Sequence, residues 1–202
     1  ETFWTHFLRS LKTRGLAGVR LVISDAHAGL KASIRKIMIG ASWQRCRVHY
    51  IRNLLAVVPK ASQDLVASAF RSIFALTDPD EVSKRWDEVV DTLAERFPKA
   101  AASMRDARTD VLAFASFPTE HWRKIWSNNP LERLNKEIKR RTNVVGIFPN
   151  DPAALRLIGA VLADQHDEWT IARHYLSDAS MALLDKTCHT VEGHLVGELI
   201  EG

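Results

Sequence analysis

Cysteine is scarce in this chain: among 202 residues only Cys46 and Cys188 carry a thiol. Two cysteines make no disulfide framework, which excludes a small cross-linked secreted domain and points to a reducing, cytoplasmic setting. No apolar run approaches the roughly 20 residues that span a bilayer, and no segment reads as a signal peptide, so no membrane partner is expected. There is no internal repeat and no low-complexity segment. The chain opens at Glu1 without a methionine and is expected to be a piece of something longer. What remains is a globular composition, 46% apolar, long enough for one domain or a domain with a sizeable insertion. A net charge of +4 favours an anionic partner without establishing one.

The spacing predicts a helix from Phe3 to Leu16, with Phe3, Phe7, Leu8 and Leu11 as its buried stripe and Gly15 as its stop. Val19 to Asp25 reads as a buried, parallel strand, because it is apolar on both faces. A second helix opens at Gly29, with Leu30, Ile34, Ile37 and Met38 on one side. A second strand is expected over Ser42 to His49, then a helix stopped by Pro59. Ser62 to Phe117 is helical throughout. Within it "TDPDE" sets Asp78 as cap, Pro79 at the first position and Glu81 three residues after the cap. Pro98 divides the block and Pro118 closes it. Asp151 and Pro152 begin a last long helix, and the tail from 177 to 202 has no clear periodicity. The fold class expected is α/β and helix-rich. Residues 1–60 supply the first part of a strand–helix–strand core, 61–118 an all-helical insertion, and 119–176 two further helices.

Several residues carry possible chemistry, each with a plainer alternative. Asp25 ends a buried strand, where ligands of open α/β sheets bind; it also suits the cap of the next helix. Glu132 sits in "NNPLERLNKEIKRR". If Asn129 is the cap, Glu132 takes the third helical position and a capping-box role is open to it. Leu131, Leu134 and Ile138 are the expected buried stripe of this helix, with Glu132 on one shoulder. Glu137 lies on the other, flanked by Arg133 and Arg141 as a salt-bridged surface residue. Arg133, Lys136, Lys139, Arg140 and Arg141 suit phosphate contacts, or a solvated face. Trp122 and Trp126 alternate with Arg123 and Lys124, a pattern for stacking on bases, or for two core tryptophans. Cys46 and His49 form a C-x-x-H pair, too few ligands for a closed zinc site. His27 is a lone loop histidine.

Together and in order, "LVISDAHAGLKASI", "CRVHYIRNLL" and "NNPLERLNKEIKRRTNVVGIFPN" closely resemble the mutator-type family of bacterial insertion-sequence transposases. The resemblance covers roughly Glu1 to Leu176, including the "DEWTIARHYL" segment. It implies a DDE transposase with a partial ribonuclease H-like core, two strands of it here, and a helical insertion before the glutamate. It matches Asp25 to the second catalytic aspartate, Glu132 in the N-x-x-E-R motif to the catalytic glutamate, and Cys46 and His49 to the C-x-x-H signature. Either Trp122 or Trp126 matches the tryptophan of the insertion. The first catalytic aspartate is expected on an earlier strand, so this chain is expected to carry an incomplete metal site.

The resemblance further implies cleavage and strand transfer on double-stranded DNA, at element ends and target, with Mg2+ or Mn2+ as cofactor held by Asp25 and Glu132. Carboxylates are the ligands such hard ions take. It also implies a homo-oligomer acting in the bacterial cytoplasm at the nucleoid. Two other classes remain open: an inactive transposase remnant that binds DNA or a full-length partner, and a helical nucleic-acid-binding regulator.

Overall fold

The computed structural model describes residues 2–171 and 176–184. The described chain falls into two compact units, Glu1–Ser127 and Asn128–Gly202. In the first, α1 (Thr2–Thr13) leads to β1 (Leu21–Ser24), α2 (Ala28–Ile37), β2 (Ser42–Arg45), α3 (Arg47–Ala56), α4 (Gln63–Ile73), α5 (Pro79–Ala94), α6 (Pro98–Val111) and α7 (Thr119–Ile125). Short 3-10 turns at Lys60–Ser62 and Ala113–Ser116 complete it. In the second, α8 (Asn129–Val145) and α9 (Asp151–Ile171) pack against each other.

β1 and β2 are parallel, with Leu21 opposite Ser42 and Ser24 opposite Arg45. α2 is the crossover that joins them, as parallel pairing requires. β1 is covered on both sides, which is why its sequence is apolar without alternation. Leu21 and Ile23 pack on a large core built from α3 to α7, while Val22 joins Trp43 on a smaller core of Leu8, Ile34, Ile37 and Met38. Both strands are shorter than the sequence suggests. The second ends at Arg45, because Cys46 already occupies the cap position of α3.

The large core follows helical spacing. Val82, Trp86, Val89, Val90 and Leu93 line the buried side of α5, facing Val66, Phe70 and Ile73 of α4 and Ala100, Met104 and Ala107 of α6. Asp78 caps α5 as expected, its Oδ1 accepting from the amides of Asp80 and Glu81 at 2.9 and 3.0 Å. Pro98 opens α6 and Pro118 precedes α7. The helices of residues 61–118 share their core with α3 and α7.

Some local expectations change. The buried side of α1 is Thr5 and Leu8, whereas Phe3 and Phe7 are exposed. Thr5 is drawn inward by a 2.9 Å hydrogen bond to Ser33. In α8 no residue is fully buried, and Leu131 is exposed rather than part of an apolar stripe. The cap of α9 is Asn150, whose Oδ1 accepts from the amide of Ala153, so Asp151 is already helical. Gly146 ends α8 at φ 75°, a left-handed conformation that glycine adopts without strain. Residues 178–184 of the expected irregular tail are helical; Cys188 and His189 lie outside the described residues.

Candidate active site

Asp25 follows the last residue of β1, exposed at the carboxyl end of the sheet. Its main chain is held from several directions. The amide of His27 donates to its carbonyl at 2.9 Å, and so does the Ser24 hydroxyl at 2.9 Å. Ser24 is itself fixed, with the Trp43 indole N–H donating to its Oγ at 2.8 Å and the Cys46 amide to its carbonyl at 2.8 Å. The Trp43 ring carries the Lys31 ammonium 4.2 Å from its centroid, and Lys31 pairs with Asp110 at 2.6 Å. One side-chain oxygen of Asp25 accepts from the Ala26 amide at 2.8 Å. The other makes no hydrogen bond among the described residues.

The capping role open to Asp25 is taken by another residue. His27 is the cap of α2, its Nδ1 accepting from the Leu30 amide at 3.2 Å, and its ring rests edge-on to Trp4. This assigns His27 a structural part and leaves the aspartate outside the helix.

Glu132 is half-buried on α8 and lines an open cleft of about 380 Å³ with Asn129, Arg133 and Lys136. The helix begins one residue earlier than the capping-box reading needs. Asn128 is the cap, without a side-chain cap bond, and Glu132 occupies the fourth helical position. Glu137 is the salt-bridged residue, but its partners are Arg140 at 2.7 Å and Arg141 at 2.8 Å. Hydrogen bonds from these two guanidiniums hold its carboxyl at about 2, well below the usual 4.5. Arg133, Lys136 and Lys139 form no ion pair among the described residues. Asp25 thus lies in the first unit, and Glu132 with the basic residues of α8 in the second.

The tryptophans are both packed. Trp122 is buried, its N–H donates to the Phe117 carbonyl at 2.7 Å, and Phe114 meets its ring at 5.0 Å. That leaves no open face for a base, so Trp122 is corrected to a core residue. Trp126 is half-buried against Phe74 and Phe114 and carries the Arg47 guanidinium 3.8 Å from its ring. Its stacking partner is therefore an arginine of this chain. Arg47 lies between Cys46 and His49, and burial brings its pKa down to about 10. Cys46 is fully buried and His49 half-buried on the first turn of α3. No group of three or more His, Cys, Asp or Glu side chains able to hold a metal is assembled among the described residues.

Taken singly, the Asp25 carboxylate after β1 and the Glu132 carboxylate in its cleft are each the kind of oxygen donor that a hard divalent ion takes. Mg2+ keeps several waters and takes only one or two protein carboxylates. Ser24, Trp43, Gln44 and Arg47 were not legible as site residues, although Ser24 and Arg47 fall within the motifs that carry the resemblance. Only the presence of polar residues inside short strands marks the first and third of them.

Residues 1–172 match the family described as Transposase, Mutator family. The chain is 53% identical over 173 residues to the transposase of insertion sequence element IS1081 of Mycobacterium tuberculosis, covering 86% of this chain and 42% of that protein. It is 41% identical over 180 residues to the transposase of IS256 in transposon Tn4001 of Staphylococcus aureus, covering 88% and 46%. To the ISRM5 transposase of Rhizobium meliloti it is 39% identical over 174 residues, covering 86% and 44%. The chain belongs to the mutator family of insertion-sequence transposases. It spans less than half the length of these relatives. No helix among the described residues is long and apolar enough to cross a membrane.

Proposed function

We propose that this chain supplies two carboxylates, Asp25 and Glu132, of a metal-dependent DNA strand-cleavage and strand-transfer site, on part of a ribonuclease H-like core. The observation that carries the reading is the state of Asp25. It stands at the carboxyl end of a buried parallel strand, its main chain is fixed, its capping role is taken by His27, and one carboxylate oxygen is unused by the described residues. Glu132 supports it from the matched motif, in a cleft lined by Arg133 and Lys136. The third carboxylate is the one the family resemblance expects on a strand preceding α1.

Asp25 and Glu132 would hold Mg2+ or Mn2+, which when bound supplies Lewis-acid stabilisation of phosphate oxygens and a more acidic water. The chain's own residues do the positioning. Ionised carboxylates repel a DNA backbone, and Arg133, Lys136 and Lys139 offset that repulsion and locate phosphates without reading sequence. Arg140 and Arg141 reach phosphate only by sharing or leaving Glu137. The partner is double-stranded DNA at element ends and target, handled by a homo-oligomer at the bacterial nucleoid.

In the complete protein, Asp25→Asn or Glu132→Gln is expected to abolish strand cleavage while DNA affinity stays at the parent value. Near-normal cutting by either variant removes that residue from the site.

A further inference from the structure

The end of the sheet opposite Asp25 carries a second cluster of charge. Because β1 and β2 are parallel with Leu21 opposite Ser42, the segments entering both strands lie at the same edge. There Lys12, Leu16, Gly18, Arg20, Ile39 and Gly40 line an open cleft of about 400 Å³. α1 and α2 run side by side in the same direction: Trp4 meets His27, Thr5 bonds Ser33, and the Lys12 ammonium donates to the Ile37 carbonyl at 3.4 Å. Their carboxyl ends therefore meet at this edge and add Arg14, Arg35 and Lys36. All five of these cations, counting Lys12 and Arg20, are exposed.

Residues 2–49 hold nine Lys and Arg but one acidic residue, Asp25, at the far end of the strand. Residues 61–118, by contrast, hold ten acidic residues against seven basic. Most of the first unit's surplus of positive charge thus falls within residues 2–49. Cations in the last turn of a helix complement its dipole, which accounts for Lys12, Arg35 and Lys36. It does not account for Arg20, which lines the cleft, or for Arg14, which follows the last residue of α1.

We infer that this cleft is a second DNA-backbone surface, which holds phosphates of the duplex flanking the segment presented to Asp25. The inference rests on the transposase reading above. Five cations spread over a helix end, a loop and a strand entry suit a repeating polyanion better than a single small anion, which needs one converging pocket. The exposed Leu16 and Ile39 on the rim suit packing against deoxyribose. Arg20 and Asp25 are five residues apart along an extended segment, about 16 Å at roughly 3.3 Å per residue. That is about half a turn of B-DNA, so one duplex lying along the sheet reaches both ends.

The test is fluorescence anisotropy of the 202-residue chain with a labelled duplex of arbitrary sequence, across a salt series. Arg14→Gln/Arg20→Gln/Lys36→Gln, with circular dichroism to verify folding, is expected to bind about tenfold more weakly on every sequence tried. The slope of log affinity against log salt is expected to flatten by about 0.9 for each phosphate that is no longer neutralised. Arg96→Gln/Lys99→Gln, cations at the start of α6, is expected to leave both unchanged. Parent affinity and slope in the triple variant, with binding weakened by neutralising Arg133, Lys136 and Lys139, overturns the cleft and leaves the transposase reading standing. Absence of DNA binding by the parent chain overturns both. Displacement of the duplex by inorganic phosphate at an ionic strength where chloride has no effect assigns the cleft to a small anion and overturns it too.

Discussion

At the scale of single residues, the position of Asp25 is set by neighbours that hold its main chain. A carboxylate that binds a metal must be held in place, and outer-shell hydrogen bonds do that holding. Here the holding runs from Trp43 through Ser24 to the Asp25 carbonyl, and it is backed by the Lys31–Asp110 pair across the Trp43 ring. Trp43→Phe keeps an aromatic ring but removes the N–H donor, together with part of the indole's packing surface. In the complete protein it is expected to raise the Mg2+ concentration needed for half-maximal cleavage by about tenfold or more, with DNA affinity unchanged. An unaltered metal dependence would show that Asp25 needs no such support. His27 illustrates the same scale. A loop histidine beside an aspartate invites a catalytic reading, yet its Nδ1 is committed to the Leu30 amide.

At the scale of elements, α8 carries both signs of charge for two distinct reasons. Glu132 faces a cleft with Arg133 and Lys136, whereas Glu137 is clamped by Arg140 and Arg141. The clamp has a pH signature. Its carboxyl titrates near 2 in the folded chain against an ordinary 4.5. A depressed carboxyl pKa stabilises the folded form fully above the ordinary value, and the contribution is lost as pH falls from about 4.5 through about 2. A carboxyl-resolved NMR titration is expected to place the Glu137 midpoint in that low range and to move it upward in high salt, because the pair is exposed. Glu137→Gln is expected to release both arginines and steepen the salt dependence of DNA binding. A Glu137 midpoint near 4.5 at low salt would dissolve the clamp and return both arginines to the phosphate track.

At the scale of the molecule, the first unit depends on one buried amide. Gln44 sits in β2 with no exposed surface, on the face turned toward the large core. Its Nε2 donates to the carbonyls of Val111 and Arg45 at 2.7 Å each, and its Oε1 accepts from the Phe114 amide at 2.8 Å. It thereby joins the sheet to the turn that ends α6, some 67 to 70 residues away along the chain. Gln44→Leu fills similar space but strands a buried carbonyl and a buried amide, each worth about 1–3 kcal/mol when left unpaired. Urea unfolding is expected to show a loss of about 3 kcal/mol. A loss below about 1 kcal/mol would mean that water or backbone relaxation replaces the amide.

Much of this was legible before the structure, and the division has a physical cause. Signals that act within a few residues were readable: the Asp78–Pro79 start of α5, Pro98 and Pro118 as boundaries, the parallel strand before Asp25, and the ordered motifs that mark the family. Each depends on backbone geometry or periodicity that the local chain determines for itself. Choices among competing partners were not readable. That His27 rather than Asp25 caps α2, that Thr5 rather than Phe3 turns inward on α1, and that Glu137 takes Arg140 and Arg141 rather than Arg133 follow from one-residue shifts in helix phase and from available neighbours. The burial of Trp122 behind Phe114 and the Gln44 bridge to Val111 and Phe114 lie furthest from the sequence. They depend on segments that only the packing of helices around the sheet brings together. Motif order and local chain geometry thus mark the family, most of the elements and the carboxylates worth testing, whereas the packing of distant segments sets which polar side chains already have partners.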